Sequence, residues 1–434
     1  MDLAWFFFES GLGEWKQNLR VEIRNAQVVC ELLLLGVVGC SSTATDNGAL
    51  ASHAGQGGSV NSAQGGSVSS AQGAAPANAG NGGVPNAPNA PNAGGQSGND
   101  GSVDPIGGAA PITKPGMQPP SAPSGYVGMV PQAGAPVSVG NTRIFDDLAG
   151  LVWNQTQQEL LFVVGQDNKI MRFRLGLPDA QNFDVVRPGG EHMDEMKGLD
   201  LGPDGALWVC EPRDTAPHRV SRSADGYDHP VTVVDHFQGS ATVAASDFTS
   251  PWYVSVRWDG NAYFTDTPHA YSGVPNKSLF RIDPSGDLTM LKHYGSDADL
   301  SEGGPFGIAL SPSHNALYID TWNHPGYPQL VRFDLDADGA VSKETLVMTD
   351  QQGPIQSVDG LCVDQGENIY MCTGEGGVRM YSPSGAFLGS IDVPGATDCS
   401  FGGADMKTLF VATSGSVAGD KNLYQVAMTI PGLP

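Results

Sequence analysis

The amino-acid sequence predicts an all-β fold: a six-bladed β-propeller that is preceded by a signal segment and a disordered linker. From residue 142 onward one strand–turn–strand unit occurs six times, with copies starting about 40 to 55 residues apart, as expected for propeller blades. A third short strand follows each copy. The repeat region shows no sustained helical periodicity of apolar residues, so helices are not expected to carry the fold.

Residues 1–40 are predicted to be a lipoprotein signal region. Three basic residues precede an apolar run over residues 28–38, which is too short to span a bilayer but has the length of a signal core. The run ends in Val-Gly-Cys-Ser, which resembles a bacterial lipobox with Cys40 as the lipidated residue. The aromatic stretch before residue 21 is not typical of a signal, and a mis-called start codon is one explanation. A buried helix with a chance cysteine is the alternative.

We therefore expect an exported, lipid-anchored protein, and Ser41 directly after the cysteine favours the outer membrane. Whether the domain faces the periplasm or the outside is left open. Residues 41–135 consist mainly of Gly, Ala, Ser, Asn, Pro and Gln, with only four charged residues. Such a segment buries too little apolar area to offset the entropy of ordering it, so we interpret it as a disordered tether.

The charge of the chain lies in the predicted propeller, residues 136–434. This part contains 38 acidic and 18 basic residues, a formal net charge of −20. An acidic domain excludes a nucleic-acid binder, which needs a basic face to replace phosphate counterions. We expect a small-molecule substrate or ligand, membrane contact only through the lipid anchor, and a monomer.

Each copy of the unit contains an apolar strand, a turn with Gly, Asp or Asn, and a second strand, which together predict an antiparallel hairpin. The copies begin near residues 150, 198, 253, 307, 360 and 399. The third strands are predicted at residues 169–174, 219–222, 278–282, 330–333, 378–381 and 422–426.

A propeller must also close its ring with a strand from the other end of the chain. We predict that residues 142–145 pair beside residues 422–426 and join the N-terminal to the C-terminal blade. The alternative fold is a β-sandwich of irregular strands, which six matched copies disfavour.

Four cysteines remain in the exported domain once Cys30 leaves with the signal and Cys40 receives the lipid. They are Cys210, Cys362, Cys372 and Cys399. Cys362 and Cys372 lie on neighbouring strands of one predicted hairpin and are candidates for pairing. Four cysteines allow three connectivities, and buried free thiols are an equal alternative.

Four phrases carry a resemblance to a known family. Residues 198–211, 259–268, 332–339 and 358–364 resemble the senescence-marker-protein/gluconolactonase/luciferin-regenerating-enzyme family. The resemblance covers about residues 142–430. It implies a six-bladed propeller that hydrolyses sugar lactones with a divalent metal, calcium or zinc, in the central tunnel. It also implies that Cys210 is an unpaired strand residue.

In such a fold the residue before each inner strand faces the tunnel mouth. Those six positions are Ala149, Lys197, Trp252, Phe306, Asp359 and Asp398. The resemblance implies a ligand Glu at Ala149 and ligand Asn residues at Trp252 and Phe306, so only Asp359 matches, as metal ligand and general base. One carboxylate, or two with Asp398, cannot hold calcium or zinc tightly, because calcium needs six to eight oxygens and zinc about four ligands.

Lys197 offers a replacement for the cation. We predict that its ammonium neutralises Asp359 and Asp398, and that these three residues form the catalytic group. The predicted substrate-binding residues are Trp252, Tyr253, Phe306, Glu211, His269, Trp322 and His324. The alternative is that Lys197 points to solvent while the aromatic side chains plug the tunnel.

The first functional hypothesis is a divergent hydrolase of a small lactone or ester at the central pocket. The second is a surface-tethered propeller that binds a ligand or protein without chemistry. A weaker third is a metal-free enzyme similar to strictosidine-synthase-like proteins. The sequence contains no Gly-x-Ser-x-Gly elbow, no His-Glu-x-x-His and no phosphate loop.

Overall fold

A computed structural model describes the chain from residue 119 to residue 433, with gaps. The described residues are 119–121, 125–139, 145, 147–177, 182–189, 196–212, 218–239, 246–267, 277–294, 304–322, 328–352, 358–414 and 422–433. The predicted signal, Cys40 and most of the predicted tether lie outside them. Within these ranges no helix is long and apolar enough to cross a membrane.

Six antiparallel four-stranded sheets, with their inner strands packed around one axis, form a six-bladed β-propeller. The prediction of the fold class is therefore confirmed, and the β-sandwich alternative is wrong. Strand β1 (Val137–Ser138) comes first in the chain. Blades 1 and 2 are β2 (Leu148–Asn154), β3 (Glu159–Val164), β4 (Lys169–Arg174), β5 (Phe183–Arg187), β6 (Leu199–Leu201), β7 (Leu207–Glu211), β8 (Arg219–Ser223) and β9 (Val231–Val234).

The other blades follow the same order from the inner strand outward. Strands β10 (His236–Phe237) and β11 (Ser246–Asp247) form a small ribbon between blades 2 and 3. Blades 3 to 5 are β12 (Pro251–Val256), β13 (Ala262–Asp266), β14 (Ser278–Ile282), β15 (Leu288–His293), β16 (Gly304–Leu310), β17 (Ala316–Trp322), β18 (Gln329–Leu335), β19 (Val341–Thr349), β20 (Leu361–Val363), β21 (Ile369–Cys372), β22 (Val378–Tyr381) and β23 (Phe387–Ile391).

Blade 6 combines the two ends of the described chain. Its strands are β24 (Ala396–Gly402), β25 (Thr408–Thr413), β26 (Leu423–Ala427) and β1. A single 3-10 turn, Gly165–Asp167, joins β3 to β4. The predicted third strands correspond to β4, β8, β14, β18, β22 and β26, so the assignment of the six repeats is correct.

The strand that closes the ring, β1, lies earlier in the chain than the predicted residues 142–145. Val137 pairs with Gln425, and Ser138 pairs with Tyr424. The prediction of closure by residues 142–145 is wrong, and of that stretch the structure describes only Phe145, which is buried against Phe162 with ring centroids 5.5 Å apart. A closing strand of two residues carries no alternation pattern that a sequence could reveal.

Part of the predicted tether contacts the propeller. Gly134 donates a backbone hydrogen bond to Ala427, and the Asn368 side chain donates to the carbonyl of Met129. Because β1 runs antiparallel to β26, the chain approaches the propeller along the face that carries the turns after the inner strands. We call this the turn face, and the opposite end of the axis, where the inner strands begin, the mouth.

Apolar side chains fill the spaces between neighbouring blades. Trp153 of blade 1 stacks on Phe410 of blade 6, with ring centroids 5.7 Å apart. Tyr370 of blade 5 meets Phe401 of blade 6 edge to face at 5.1 Å. The core is therefore divided into inter-blade layers, and each layer fixes the angle between two sheets.

Glycines allow the inner strands to approach each other closely near the mouth. Gly198 donates a backbone hydrogen bond to Trp252, and Gly360 donates one to Thr397, both across a blade boundary at 2.7 Å. A Cβ atom on Gly360 would lie 1.8 Å from Oδ1 of Asp398. These positions have no space for a side chain, so the residue before each glycine is brought close to the axis.

A disulfide joins the inner strands of blades 5 and 6, between Cys362 and Cys399, whose Cα atoms are 6.0 Å apart. Cys210 and Cys372 are buried free thiols. The candidate pairing of Cys362 with Cys372 is wrong: Cys362 lies opposite Tyr370 in the hairpin, two residues away from Cys372.

We predict that Gly360→Ala destabilises the propeller by about 3 kcal/mol, because the new methyl group overlaps Asp398 and must separate blades 5 and 6. Gly134→Ala is the matched control, because a Cβ atom there meets only ordinary contacts of 3.5 Å. Urea unfolding followed by tryptophan fluorescence measures both. Equal midpoints for the two variants would contradict the close-approach argument.

Candidate active site

The six residues predicted to face the tunnel lie at the mouth end of the inner strands. The side chain of Lys197 is turned inward among them. Its Nζ lies 3.3 Å from Oδ2 of Asp147 and 4.9 Å from the centroid of the Trp252 ring. Only 11% of the Lys197 side chain is exposed. The ammonium is therefore held by an ion pair and a cation–π contact, and the alternative that it points to solvent is wrong.

The charge of Lys197 also acts on Asp359. Asp359 is half-buried, and burial raises its pKa to about 7. Lys197 acts against burial and lowers the pKa, Asp147 raises it, and a hydrogen bond from the Trp252 side chain lowers it. The result is a carboxyl group that changes protonation near neutral pH, beside a fixed cation.

Asp398 lies nearby but is committed to the backbone. Its Oδ2 accepts a hydrogen bond from the Leu151 amide at 2.7 Å, and its Oδ1 accepts from the Cys399 amide at 2.8 Å. Burial raises its pKa to about 7, and the charge of Asp359 adds to that effect. The contact with Leu151 joins blade 6 to blade 1, so Asp398 supports the ring rather than facing a substrate.

Tyr253 occupies the axis below the mouth. It starts from blade 3, and its hydroxyl donates to the carbonyl of Thr397 in blade 6, on the opposite side of the ring, at 3.2 Å. Burial raises its pKa well above the usual value, with further contributions from Asp398 and Asp359. The tyrosine is therefore a neutral floor for the mouth, and in this respect the alternative of an aromatic plug describes the structure.

The mouth also has an aromatic wall. The rings of Trp252 and Phe306 meet edge to face, with centroids 6.2 Å apart. Trp252 is buried and Phe306 is half-buried. The predicted walls of the site, Trp252, Tyr253 and Phe306, are thus on the same side of the propeller as Lys197 and Asp359.

Two acidic residues that the prediction did not assign to the site contribute to its electrostatics. Asp147 pairs with Lys197, and the only signal for it is an acidic pair directly before the first inner strand. Asp320 is fully buried on β17 and accepts a hydrogen bond from the Gly307 amide at 2.7 Å. Burial raises its pKa well above the usual value, and the charges of Asp359 and Asp398 add to the shift.

Glu211, a predicted substrate-binding residue, is bonded to side chains within the protein. It is buried in an ion pair between blades 1 and 2, with Arg187 and Arg219 each at 2.7 Å, and it also accepts from Ser221. Burial acts to raise its pKa, but the two arginines outweigh burial and lower it to about 2. We assign it to the inter-blade contact. Trp322 ends β17, and His269 and His324 lie outside the described residues.

The donors at the mouth do not fit a divalent metal. Ala149, Trp252 and Phe306 offer no oxygen where the resemblance implies ligands, and Asp398 is occupied by backbone amides. The Lys197 ammonium would also repel a cation. In the part of the chain that the structure describes, no group of three or more His, Cys, Asp or Glu is placed to hold a metal. Neither calcium nor zinc fits this set of residues.

Sequence comparisons find similarity to proteins that are named as lactonases. Residues 248–415 match the model of the SMP-30/Gluconolactonase/LRE-like region. A gluconolactonase of Zymomonas mobilis is 28% identical over 299 residues, which are 62% of this chain and 76% of the relative. A pentonolactonase of Haloferax volcanii is 31% identical over 142 residues, which are 32% of this chain and 45% of the relative.

Solved structures show the same fold. A gluconolactonase structure from Xanthomonas campestris has a TM-score of 0.54 at 22% identity and covers 76% of this chain and 99% of its own. The structure of a luciferin-regenerating enzyme has a TM-score of 0.52 at 16% identity. The match covers 69% of this chain and 98% of the enzyme's chain. At these identities the likeness concerns the fold alone.

The buried aspartates predict a stability that depends on pH. Asp200, Asp266, Asp359 and Asp398 each have a pKa raised by burial to about 7, whereas an aspartate in an unfolded chain titrates at about 3.9. Between these values the folded chain binds more protons than the unfolded chain, so the free energy of unfolding falls as pH rises. We expect a lower thermal midpoint at pH 8 than at pH 5, measured by circular dichroism.

Asp266→Asn isolates one of these groups. The amide oxygen can still accept from the Thr249 and Ser250 amides, so the variant is expected to lose less stability than the wild type between pH 5 and 8. Asp283→Asn is the control: burial acts to raise the pKa of Asp283, but hydrogen bonds from Ser285 and Asp287 lower it, so it stays ionised in this window. An unchanged pH slope in Asp266→Asn would contradict the assignment.

Proposed function

We propose that this six-bladed propeller, whose residues 248–415 match the SMP-30/Gluconolactonase/LRE-like region, is a divergent hydrolase that opens a small lactone or ester at the mouth. The observation that carries the proposal is the placement of Lys197. Its ammonium lies over Trp252 and influences Asp359 where the resemblance implies a metal cation. A base that accepts a proton from water and a cation that stabilises the developing oxyanion are two groups that accelerate lactone hydrolysis.

Asp359 is the proposed general base. With a pKa of about 7, a substantial fraction of its carboxyl is ionised at neutral pH and can accept a proton from the attacking water. The water oxygen then bonds to the lactone carbonyl carbon, and the negative charge develops on the carbonyl oxygen. When the tetrahedral intermediate collapses, the ring C–O bond breaks, and the leaving alkoxide takes the proton back from Asp359. One water is consumed and one hydroxy acid is formed.

Lys197 is the proposed electrophilic partner. Its ammonium donates a hydrogen bond to the carbonyl oxygen as that oxygen becomes negative, which is the role of a preorganised oxyanion donor. The ion pair with Asp147 and the contact with Trp252 fix its position before substrate binds. The names of the relatives, a gluconolactonase and a pentonolactonase, support a polyhydroxylated lactone as the substrate class.

A non-catalytic binding propeller is the second candidate. The aromatic side chains of Trp252 and Phe306 at two implied ligand positions favour it, since they would pack on a ligand without activating water. Absence of turnover together with saturable ligand binding at the mouth would select this candidate over the hydrolase.

The kinetic test uses the purified full-length protein and a panel of sugar lactones that includes glucono-δ-lactone. Asp359→Asn is expected to lower kcat/KM by about 10²–10⁴ because the base is lost. Lys197→Met is expected to lower it by about 10²–10³ because the oxyanion donor is lost. Lys343→Met, an exposed lysine on β19, is the control and should retain full activity.

Two further readouts belong to the same experiment. The kcat/KM of the wild type should rise with pH with an apparent pKa near 7, since the carboxylate is the active form of Asp359. Chelation of divalent metals should leave turnover unchanged. Turnover that needs added calcium or zinc, or that survives Asp359→Asn, would refute the proposed roles.

We also propose that the protein is exported and anchored by a lipid on Cys40, as the sequence predicts. Labelling cells with a radioactive fatty acid tests this. The wild type should incorporate the label, and Cys40→Ala should not.

A further inference from the structure

A cavity lies on the turn face, between blades 1 and 2. Its volume is about 670 Å³, within the range of sites that bind small ligands. Turns of both blades and the outer strands of blade 1 surround it. Its lining residues include Asn154, Gln157, Arg172, Val185, Asp204 and Tyr227.

The floor of this cavity is a fixed polar network. Asn154 of blade 1 donates to the Tyr227 hydroxyl of blade 2 at 2.8 Å, and that hydroxyl donates to Oε1 of Glu159 at 3.0 Å. Arg172 lies 3.6 Å from Oε2 of Glu159, which is only 1% exposed. Burial raises the pKa of Tyr227 to about 12, so its hydroxyl keeps its proton. The floor is therefore organised before any ligand arrives.

The charges of the lining are largely neutralised within the protein. Arg172 is also paired with Asp184 at 3.2 Å, and Asp204 is paired with Arg222. The exposed carboxylate of Asp228 leaves a slightly acidic rim. An anionic ligand is disfavoured by these carboxylates, and an apolar ligand is disfavoured by a polar floor that would lose its contact with water.

The walls combine planar polar groups with aliphatic surface. Gln157 offers an amide group, Asp204 and Arg172 line the cavity as ion-paired carboxylate and guanidinium groups, and Val185 and Pro203 offer apolar carbon. Planar polar groups can bond to adjacent hydroxyls, and apolar surface can pack on the C–H face of a sugar ring. We propose that this cavity binds a short neutral oligosaccharide, at a site separate from the mouth.

The site does not depend on the proposed hydrolase function. The mouth residues Lys197 and Asp359 precede the inner strands, whereas the cavity is built from turns and outer strands at the opposite end of the same blades. A carbohydrate held there would fix the protein to a glycan surface and leave the mouth free.

Isothermal titration calorimetry with the full-length protein tests the proposal, using maltotriose, cellotriose and chitotriose as probes. At least one trisaccharide should bind with a saturable heat. Val185→Arg should weaken that binding by about tenfold or more, because the longer side chain enters the cavity. Val231→Arg is the matched control and should bind like the wild type, since Val185 and Val231 are 51% and 52% exposed and Val231 is not a lining residue.

Asp228→Ala is a second cavity variant that removes a lining carboxylate without adding bulk, and it should also change the affinity. Asp359→Asn should bind the trisaccharide unchanged, which separates this site from the mouth. The proposal is overturned if no trisaccharide binds the wild type, if both cavity variants bind like the wild type, or if Asp359→Asn abolishes binding.

Discussion

The close approach of the inner strands at the axis is the constraint on which the site depends. Glycines at 150, 198, 307 and 360 each face backbone or a carboxylate of the next blade, at distances that leave no room for a methyl group. This approach places one side chain per blade at the mouth. These six side chains, together with Asp147, which pairs with Lys197, determine the chemistry of the mouth. The inter-blade layers determine only that the six residues meet.

Buried polar contacts join neighbouring blades, and their chemistry differs from one blade boundary to the next. Glu211 and Arg187 form a buried ion pair between blades 1 and 2, Asp200 accepts from the Val256 amide between blades 2 and 3, and Asp398 accepts from the Leu151 amide between blades 6 and 1. The two arginines keep Glu211 ionised. Burial raises the pKa of Asp200 and Asp398, because the hydrogen bonds that these carboxyl groups accept do not offset it. Buried charge is thus stabilised where a cation faces it and only partly compensated elsewhere.

The sequence predicts the repeated features of this protein well and the single contacts poorly. Six copies of one hairpin locate the blades because period-2 alternation and turn residues act locally. The closing strand β1 has two residues and no pattern, and the partner of Cys362 depends on how two blades pack. Glu211 shows the same limit: its strand position predicts a residue near the mouth, but Arg187 lies 24 residues away and turns it into a structural contact.

The loss of the implied metal ligands and the retention of Asp359 are connected by electrostatics. A divalent cation would hold a ligand carboxylate ionised and occupy its lone pairs. The single ammonium of Lys197, which also pairs with Asp147, compensates less of the negative charge at the mouth than a divalent cation would. Burial therefore keeps the pKa of Asp359 at about 7. A carboxyl with that pKa is a weak metal ligand at neutral pH but an effective general base, because it can both accept and return a proton. Under the proposed function, Lys197 takes the place of the metal, and Asp359 serves in acid–base chemistry at its own place in the ring.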